Sequence, residues 1–221
     1  MKTLFAWDFH GVLEKGNVKT VRELINMVFN DLGVNREITL QEALDWYGLS
    51  WFDYFKLALP GKEEEFYKGL VDGVLKRQKE AWALVQKNIC AMDFAEEVLG
   101  LIKSKGHHNI VLSNSRPQHI KDFVDLLHLA HYFEEIIGVD GHHESRMNNV
   151  RNAKEEALRG YLSGKDYGKV VLIGDRESDV AAGRSCGAIT YFFVNPDKRE
   201  AGEGVGSDHV ISDLREVLNE L

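Results

Sequence analysis

The segment Gly174-Asp175-Arg176-Glu177-Ser178-Asp179 follows the apolar run Val170-Val171-Leu172-Ile173, so two aspartates four residues apart fall where a buried strand gives way to a helix. Carboxylates in that arrangement can hold a hard cation, and Mg²⁺ favours one or two carboxylates completed by water and phosphate oxygens. The same acids also suit the positive end of a helix dipole without any ion. Two other junctions place polar groups after apolar runs. Asp8 follows Leu4-Phe5-Ala6-Trp7 and opens the turn Asp8-Phe9-His10-Gly11-Val12-Leu13, while Ser113-Asn114-Ser115 follows Ile110-Val111-Leu112. Each of these alone also reads as an ordinary turn, since Asp, Ser and Asn commonly bond to nearby backbone at loop starts.

A parallel sheet would bring the three junctions together. The runs at 4–7, 110–112, 170–173 and 189–194 have the continuous apolar character of strands buried on both faces, and Glu135-Ile136-Ile137-Gly138-Val139 and His209-Val210-Ile211 are weaker strand candidates. Ligands of open α/β sheets collect at the carboxyl ends of the strands, where Asp8, Ser113 and Asp175 fall. Helical patterns lie between the strands. Asp93 with Glu96 reads as a capping box for a helix closed by Gly106, and Pro117 fits the first position of the next. Ser212 to Leu221 reads as a C-terminal helix. From about Glu14 to Ala91 the alternation breaks. Val18, Val21, Leu24, Ile25, Val28 and Leu32 keep helical spacing up to Gly33, Thr39 with Glu42 marks a capped start, and Phe66, Leu70, Val71, Val74 and Leu75 mark a further helix. The expected fold is therefore α/β: a Rossmann-like core at residues 1–13 and 92–221, with an all-helical cap inserted at 14–91.

The 221 residues are 44% hydrophobic and 28% charged, the balance of a globular protein with a substantial core. No apolar run approaches the roughly 20 residues of a membrane span, and no secretory signal is evident, so a cytoplasmic location is expected. A net charge of −8 argues against a large nucleic-acid footprint and leaves room for a small basic pocket. Cys90 and Cys186 lack metal-type spacing and read as buried small hydrophobes.

Taken in order, the junctions resemble the haloacid dehalogenase superfamily, whose signature is a nucleophilic aspartate after the first strand, a Ser or Thr after the second, a lysine, and a Gly-Asp-x-x-x-Asp motif. These map onto Asp8, Ser113, Lys154, and Asp175 with Asp179; Lys154 lies 21 residues before Asp175 and begins a helical pattern. The helical insertion falls at the family's commonest cap position. The resemblance implies a Mg²⁺-dependent phosphatase acting on a small phosphorylated metabolite as a monomer or homodimer. Its metal would be held by Asp8, Asp175, Asp179 and the backbone carbonyl at His10. Ser113, Asn114 and Gly11 would surround the phosphoryl oxygens, and Lys154 would offset negative charge. Asp8 would carry the phosphoryl group as an aspartyl-phosphate.

His10 departs from this pattern, because phosphatases of the family place a second aspartate there as general acid and base. Histidine can take that role. The alternatives are a metal-independent dehalogenase-type hydrolase and a protein that binds a phospholigand without turning it over. Trp46, Tyr47, Trp51, Phe52, Tyr54 and Phe55 read as helical core, with the substrate side of the cap as the alternative. His107-His108 and His142-His143-Glu144 read as solvent-facing, with a substrate contact as the alternative for His142 and His143, which follow a strand candidate. Arg116 reads as a substrate contact or a helix cap.

Overall fold

The computed structural model describes residues 1–47, 49–139, 150–195 and 206–221. In chain order its strands are β1 (Thr3–Trp7), β2 (Glu14–Lys15), β3 (Cys90–Ala91), β4 (His108–Ser113), β5 (Glu135–Gly138), β6 (Lys169–Gly174), β7 (Ile189–Phe193) and β8 (His209–Ile211). Its helices are α1 (Asn17–Asp31), α2 (Leu40–Asp45), α3 (Trp51–Ala58), α4 (Glu64–Lys76), α5 (Gln78–Asn88), α6 (Ala95–Ser104), α7 (Pro117–Leu126), α8 (Val150–Leu162) and α9 (Glu177–Ser185). The chain divides into two compact units, Met1–Lys15 with Ala91–Leu221, and Gly16–Cys90.

The first unit is an α/β sheet protein. Six strands pair in parallel in the order β5-β4-β1-β6-β7-β8. Strand order reverses around β1, which makes its carboxyl end a topological switch point, the usual location of a ligand crevice. Trp7 pairs in register with Val111 of β4 and Ile173 of β6, so all three strands end near one level. Every residue of β1 is buried. Its side chains alternate between faces: Leu4 and Ala6 join Ile110, Leu112, Leu172 and Leu158 of α8, while Phe5 stacks along Trp7 at 6.5 Å. Each such large apolar side chain contributes about 1.5–3 kcal/mol on burial. The two weaker strand candidates are β5 and β8 at the ends of the sheet.

Two helix ends differ from the expectation. The Asp93 and Glu96 pattern does not form a capping box. The N-cap of α6 is Phe94, in the left-handed region at φ 64, and the Asp93 carboxylate instead accepts from Lys15 Nζ at 2.6 Å. A partner 78 residues away in sequence thus takes the oxygen that local pattern assigned to the helix. The far end of α6 does close on Gly106, at φ 80: Gly106 N–H donates to Lys103 O and His107 N–H to Ile102 O, a Schellman motif. The C-terminal segment is a 3₁₀ helix at Leu214–Glu220 rather than an α-helix, capped by Asp213 and buried through Leu214 and Val217.

The second unit is helical. Helix α1 buries Val18, Val21, Leu24, Ile25 and Val28, and the chain turns at Gly33, φ 66. Helix α2 opens with a complete capping box, in which Glu42 N–H donates to Thr39 Oγ1 at 3.2 Å and Thr39 N–H to Glu42 Oε2 at 2.8 Å. Helix α4 buries Tyr67, Leu70 and Val74, leaving Phe66 and Leu75 exposed. Tyr47, Tyr54 and Phe55 belong to the buried cluster of this unit, with Trp46, Trp51 and Phe52 packed against it, as the core reading of these aromatics expects. The cysteine reading needs correction: Cys90 is exposed and Cys186 only half-buried. No helix among the described residues is long and apolar enough to cross a membrane.

Candidate active site

Three strand ends of the α/β unit supply the polar groups. Asp8 leaves β1 with its N–H donating to Ile173 O of β6 at 2.8 Å, which carries the sheet ladder one step further and fixes where the side chain begins. Asp175 follows β6 directly, and Asp179 lies in the first turn of α9. Lys154 reaches in from α8. Its ammonium donates to Asp8 Oδ1 at 2.7 Å and to Asp179 Oδ1 at 2.5 Å. All four side chains are buried, Asp179 and Lys154 almost completely.

The glycines flanking the acids permit this crowding. At Gly11, where φ is +85°, a Cβ would stand 2.8 Å from Asp175 Oδ2, and at Gly174 a Cβ would stand 2.2 Å from the Cβ of Asp179. Any side chain at either position would push an acid out of place. Asn195, after β7, donates from Nδ2 to Gly11 O at 3.1 Å and is itself buried, so it holds the turn against the acids.

Oxygens of Asp8, Asp175 and Asp179 lie within 4.8 Å of one another, and the Lys154 ammonium bridges two of the three carboxylates. With all groups ionised, the three carboxylates outnumber the cations beside them, Lys154 and, at 4.0 Å from Asp175 Oδ1, Arg176 Nε. Burial raises Asp179 to about 6; Lys154 opposes that shift, and the neighbouring Asp8 and Asp175 add to it. Burial alone would lower Lys154, but Asp179 and Asp8 outweigh it and hold the ammonium above the ordinary lysine range. Asp179 Oδ2 is buried with no hydrogen-bond partner among the described residues. An excess of carboxylates over cations, clustered hard oxygen donors and the unsatisfied Asp179 Oδ2 fit a divalent cation.

The remaining candidates line the turn after β1 and the loop after β4. Ser113 is buried, and its Oγ accepts from Ser115 N–H at 3.2 Å. Asn114 Oδ1 is buried with no hydrogen-bond partner among the described residues. The His10 ring has Nδ1 at 3.0 Å from Glu14 Oε1 and Nε2 at 3.1 Å from Ser115 Oγ. Residue types at the motif positions did not single out Glu14, Ser115 or Asn195. The signal for Glu14 was its place four residues after His10 in a tight turn.

Other histidines stand apart from this cluster. His107 and His108 are half-buried rather than solvent-facing: His107 Nδ1 accepts from Thr3 N–H at 2.9 Å, and His108 Nδ1 meets the Glu134 carboxylate. The reading of His142-His143-Glu144 falls outside the described residues. Arg116 is the N-cap residue of α7, with no side-chain capping bond.

Known proteins share both the sequence pattern and the fold. Residues 2–187 match the family model of haloacid dehalogenase-like hydrolases. A phosphoglycolate phosphatase of Aquifex aeolicus (strain VF5) is 30% identical over 92 residues, which are 42% of this chain and 41% of that protein. The chain therefore matches about two fifths of that relative's length. A solved Clostridium difficile protein, provisionally described as a phosphatase, superposes with a TM-score of 0.80 at 16% identity, over 100% of this chain and 98% of its own. A haloacid dehalogenase-like hydrolase from Streptococcus pneumoniae does so with a TM-score of 0.76 at 14% identity, covering 99% and 98%. At such identities the two structures speak for the fold. The sequence match itself runs from the start of β1 past Asp8, Ser113, Lys154, Asp175 and Asp179, and by that extent this chain belongs to the haloacid dehalogenase-like hydrolase family.

Proposed function

We propose that this chain is a magnesium-dependent phosphatase that hydrolyses a small phosphomonoester through an aspartyl-phosphate on Asp8. The observation that carries this reading is the buried cluster of Asp8, Asp175 and Asp179 at the strand ends, with Lys154 bridging Asp8 and Asp179. Lys154 engages Oδ1 of Asp8 and leaves Oδ2 to attack phosphorus. The bond from Asp8 forms as the bond to the leaving oxygen breaks, and that oxygen takes a proton. Water then attacks the aspartyl-phosphate, releasing phosphate and restoring the carboxylate. Asp8, Asp175, Asp179 and the His10 carbonyl would hold Mg²⁺, which when bound supplies charge neutralisation and orientation for the phosphate. Ser113 and Asn114 present a hydroxyl and an amide to the phosphoryl oxygens. The Ser115 N–H that donates to Ser113 Oγ leaves the Ser113 proton available for that purpose.

His10 stands in this reading as the proton donor to the leaving oxygen and the acceptor from water. The relative from Aquifex puts small phosphorylated acids of the phosphoglycolate kind first among substrates to try. One observation favours a second reading: both ring nitrogens of His10 already meet protein groups, as in a site that binds a phospholigand without turnover. A screen of phosphorylated acids, sugar phosphates and nucleotides, with and without Mg²⁺, separates the two. Release of phosphate that needs Mg²⁺ supports the phosphatase. Saturable binding without release supports the second reading.

A further inference from the structure

Besides the cluster around Lys154, the described residues of the α/β unit bury one more carboxylate, Glu14, and the reaction above gives it no part. The turn after β1 folds back on itself, with Leu13 and Glu14 N–H groups both donating to Phe9 O. This puts Glu14 beside His10, with Oε1 at 3.0 Å from Nδ1. Phe9 and Phe123 meet the imidazole edge-on, at 5.3 Å and 4.9 Å between ring centres, and so limit the plane it can occupy. At the other end of the ring, Nε2 lies 3.1 Å from Ser115 Oγ.

An ionised carboxylate only accepts hydrogen bonds, so the ring nitrogen facing it carries the proton. In a neutral imidazole, the opposite nitrogen is then bare. We propose that Glu14 is a positioning residue: it selects the Nδ1–H form of His10 and aims Nε2 at Ser115, in the loop after β4. Ser115 then donates its hydroxyl proton to Nε2 and its backbone N–H to Ser113 Oγ, so one hydrogen-bonded chain runs from Glu14 to the serine that faces phosphate. The kinetic consequence rests on the phosphatase reading; the choice of ring form does not.

Glu14→Gln tests this with almost no change in volume, because the new amide can present its NH₂ to Nδ1 and support the other ring form. The readout is the ¹⁵N spectrum of the histidine-labelled intact chain at mildly alkaline pH, with the His10 signals identified by their loss in His10→Asn. The wild type should show a protonated Nδ1 and a bare Nε2, and Glu14→Gln should lose that preference. Ser115→Ala should keep it, since the carboxylate remains. A wild-type ring protonated at Nε2, an unchanged ring form in Glu14→Gln, or a switch of form in Ser115→Ala would each overturn the proposal. The wild-type and Ser115→Ala spectra decide the matter even if Glu14→Gln does not fold.

For a substrate that the wild type hydrolyses, kcat should fall about 10²-fold in Glu14→Gln while KM stays within about twofold, as expected when a catalytic imidazole is held in the wrong form. A merely structural Glu14 would lower the thermal midpoint and leave kcat of the folded protein unchanged. If the wild type hydrolyses no phosphate ester, the phosphatase reading fails and the spectra still decide the role of Glu14.

Discussion

The two units of the molecule bury different kinds of side chain. Among the described residues, the buried acids and bases are Asp8, Glu14, Lys154, Asp175 and Asp179, all in the α/β unit; the buried polar side chains of the helical unit are the neutral Asn17, Thr20 and Ser50. Removing charge from water is costly, and a buried ion pair often stabilises less than apolar groups of the same shape. Three clustered acids, two of them sharing one buried lysine, are a poor arrangement for stability and a good one for receiving a cation. The helical unit shows the opposite economy. Its helices turn apolar stripes inward to one cluster, and its sequence is explained by packing.

Replacing charges in the cluster should therefore change activity and stability in unlike ways. The largest effect is expected from Asp8→Asn, which should reduce phosphate release by at least about 10⁴-fold because it removes the proposed nucleophile. The same change removes one of the surplus negative charges, so the thermal midpoint measured in EDTA should stay level or rise. Wild-type turnover by this variant would end the mechanism, and a large fall in midpoint would show that the cluster is built for stability after all. Lys154→Met comes next. It should lower kcat/KM by about 10²–10³-fold, the usual effect of deleting preorganised charge. It should also destabilise the unit by about 3–5 kcal/mol in urea, since the buried Asp8 and Asp179 lose the ammonium they share. Added Mg²⁺ should raise the midpoint of Lys154→Met more than that of the wild type. A midpoint indifferent to Mg²⁺ would count against a cation site.

The sheet could be read from the sequence because its strands are buried on both faces and so appear as unbroken apolar runs such as Val170 to Ile173. Helix ends were legible where the capping group is local, as at Thr39 and Glu42 or at Gly106. They were not where a distant group competes, and Lys15 draws Asp93 away from α6. Length and apolar spacing also do not distinguish a short 3₁₀ helix at Leu214–Glu220 from an α-helix. The motif residues Asp8, Lys154, Asp175 and Asp179 carry a recognisable order along the chain. The groups that hold the turn and the ring do not: Asn195 meets Gly11 across 184 positions and Ser115 meets His10 across 105. Ring orientation follows from packing by Phe9 and Phe123, which no pattern of residue types records.

In the helical unit, substitutions should cost stability in proportion to lost packing. Phe55 is fully buried, with its ring 5.9 Å from that of Phe29. Phe55→Ala should destabilise this unit by about 3–5 kcal/mol, through lost transfer energy and the cavity left behind. The check is urea unfolding followed by the fluorescence of Trp46 and Trp51, which pack on the same cluster. A cost below about 1 kcal/mol, within the range of a surface change, would mean that this cluster is not the unit's core.

The smallest expected effect tests a charge that the helical unit keeps at its surface. Glu42 accepts from the Thr39 N–H and pairs with Arg36 Nη2 at 2.6 Å. The backbone N–H of Thr39 is the main reason its carboxyl lies below the ordinary glutamate value, with the Thr39 hydroxyl and Arg36 adding to it against partial burial. A carboxyl lowered in the folded state adds stability that is present above its unfolded-state pKa and is lost as pH falls through its folded-state pKa. Glu42→Gln should therefore cost about 0.5–1 kcal/mol at neutral pH, the scale of a capping contact. The difference from wild type should shrink as the solution is acidified below the usual glutamate range, where the wild-type side chain is protonated as well. Urea midpoints of both proteins at neutral and acid pH measure it. A difference that persisted undiminished in acid would assign the effect to the shape of the capping box and not to the charge of Glu42.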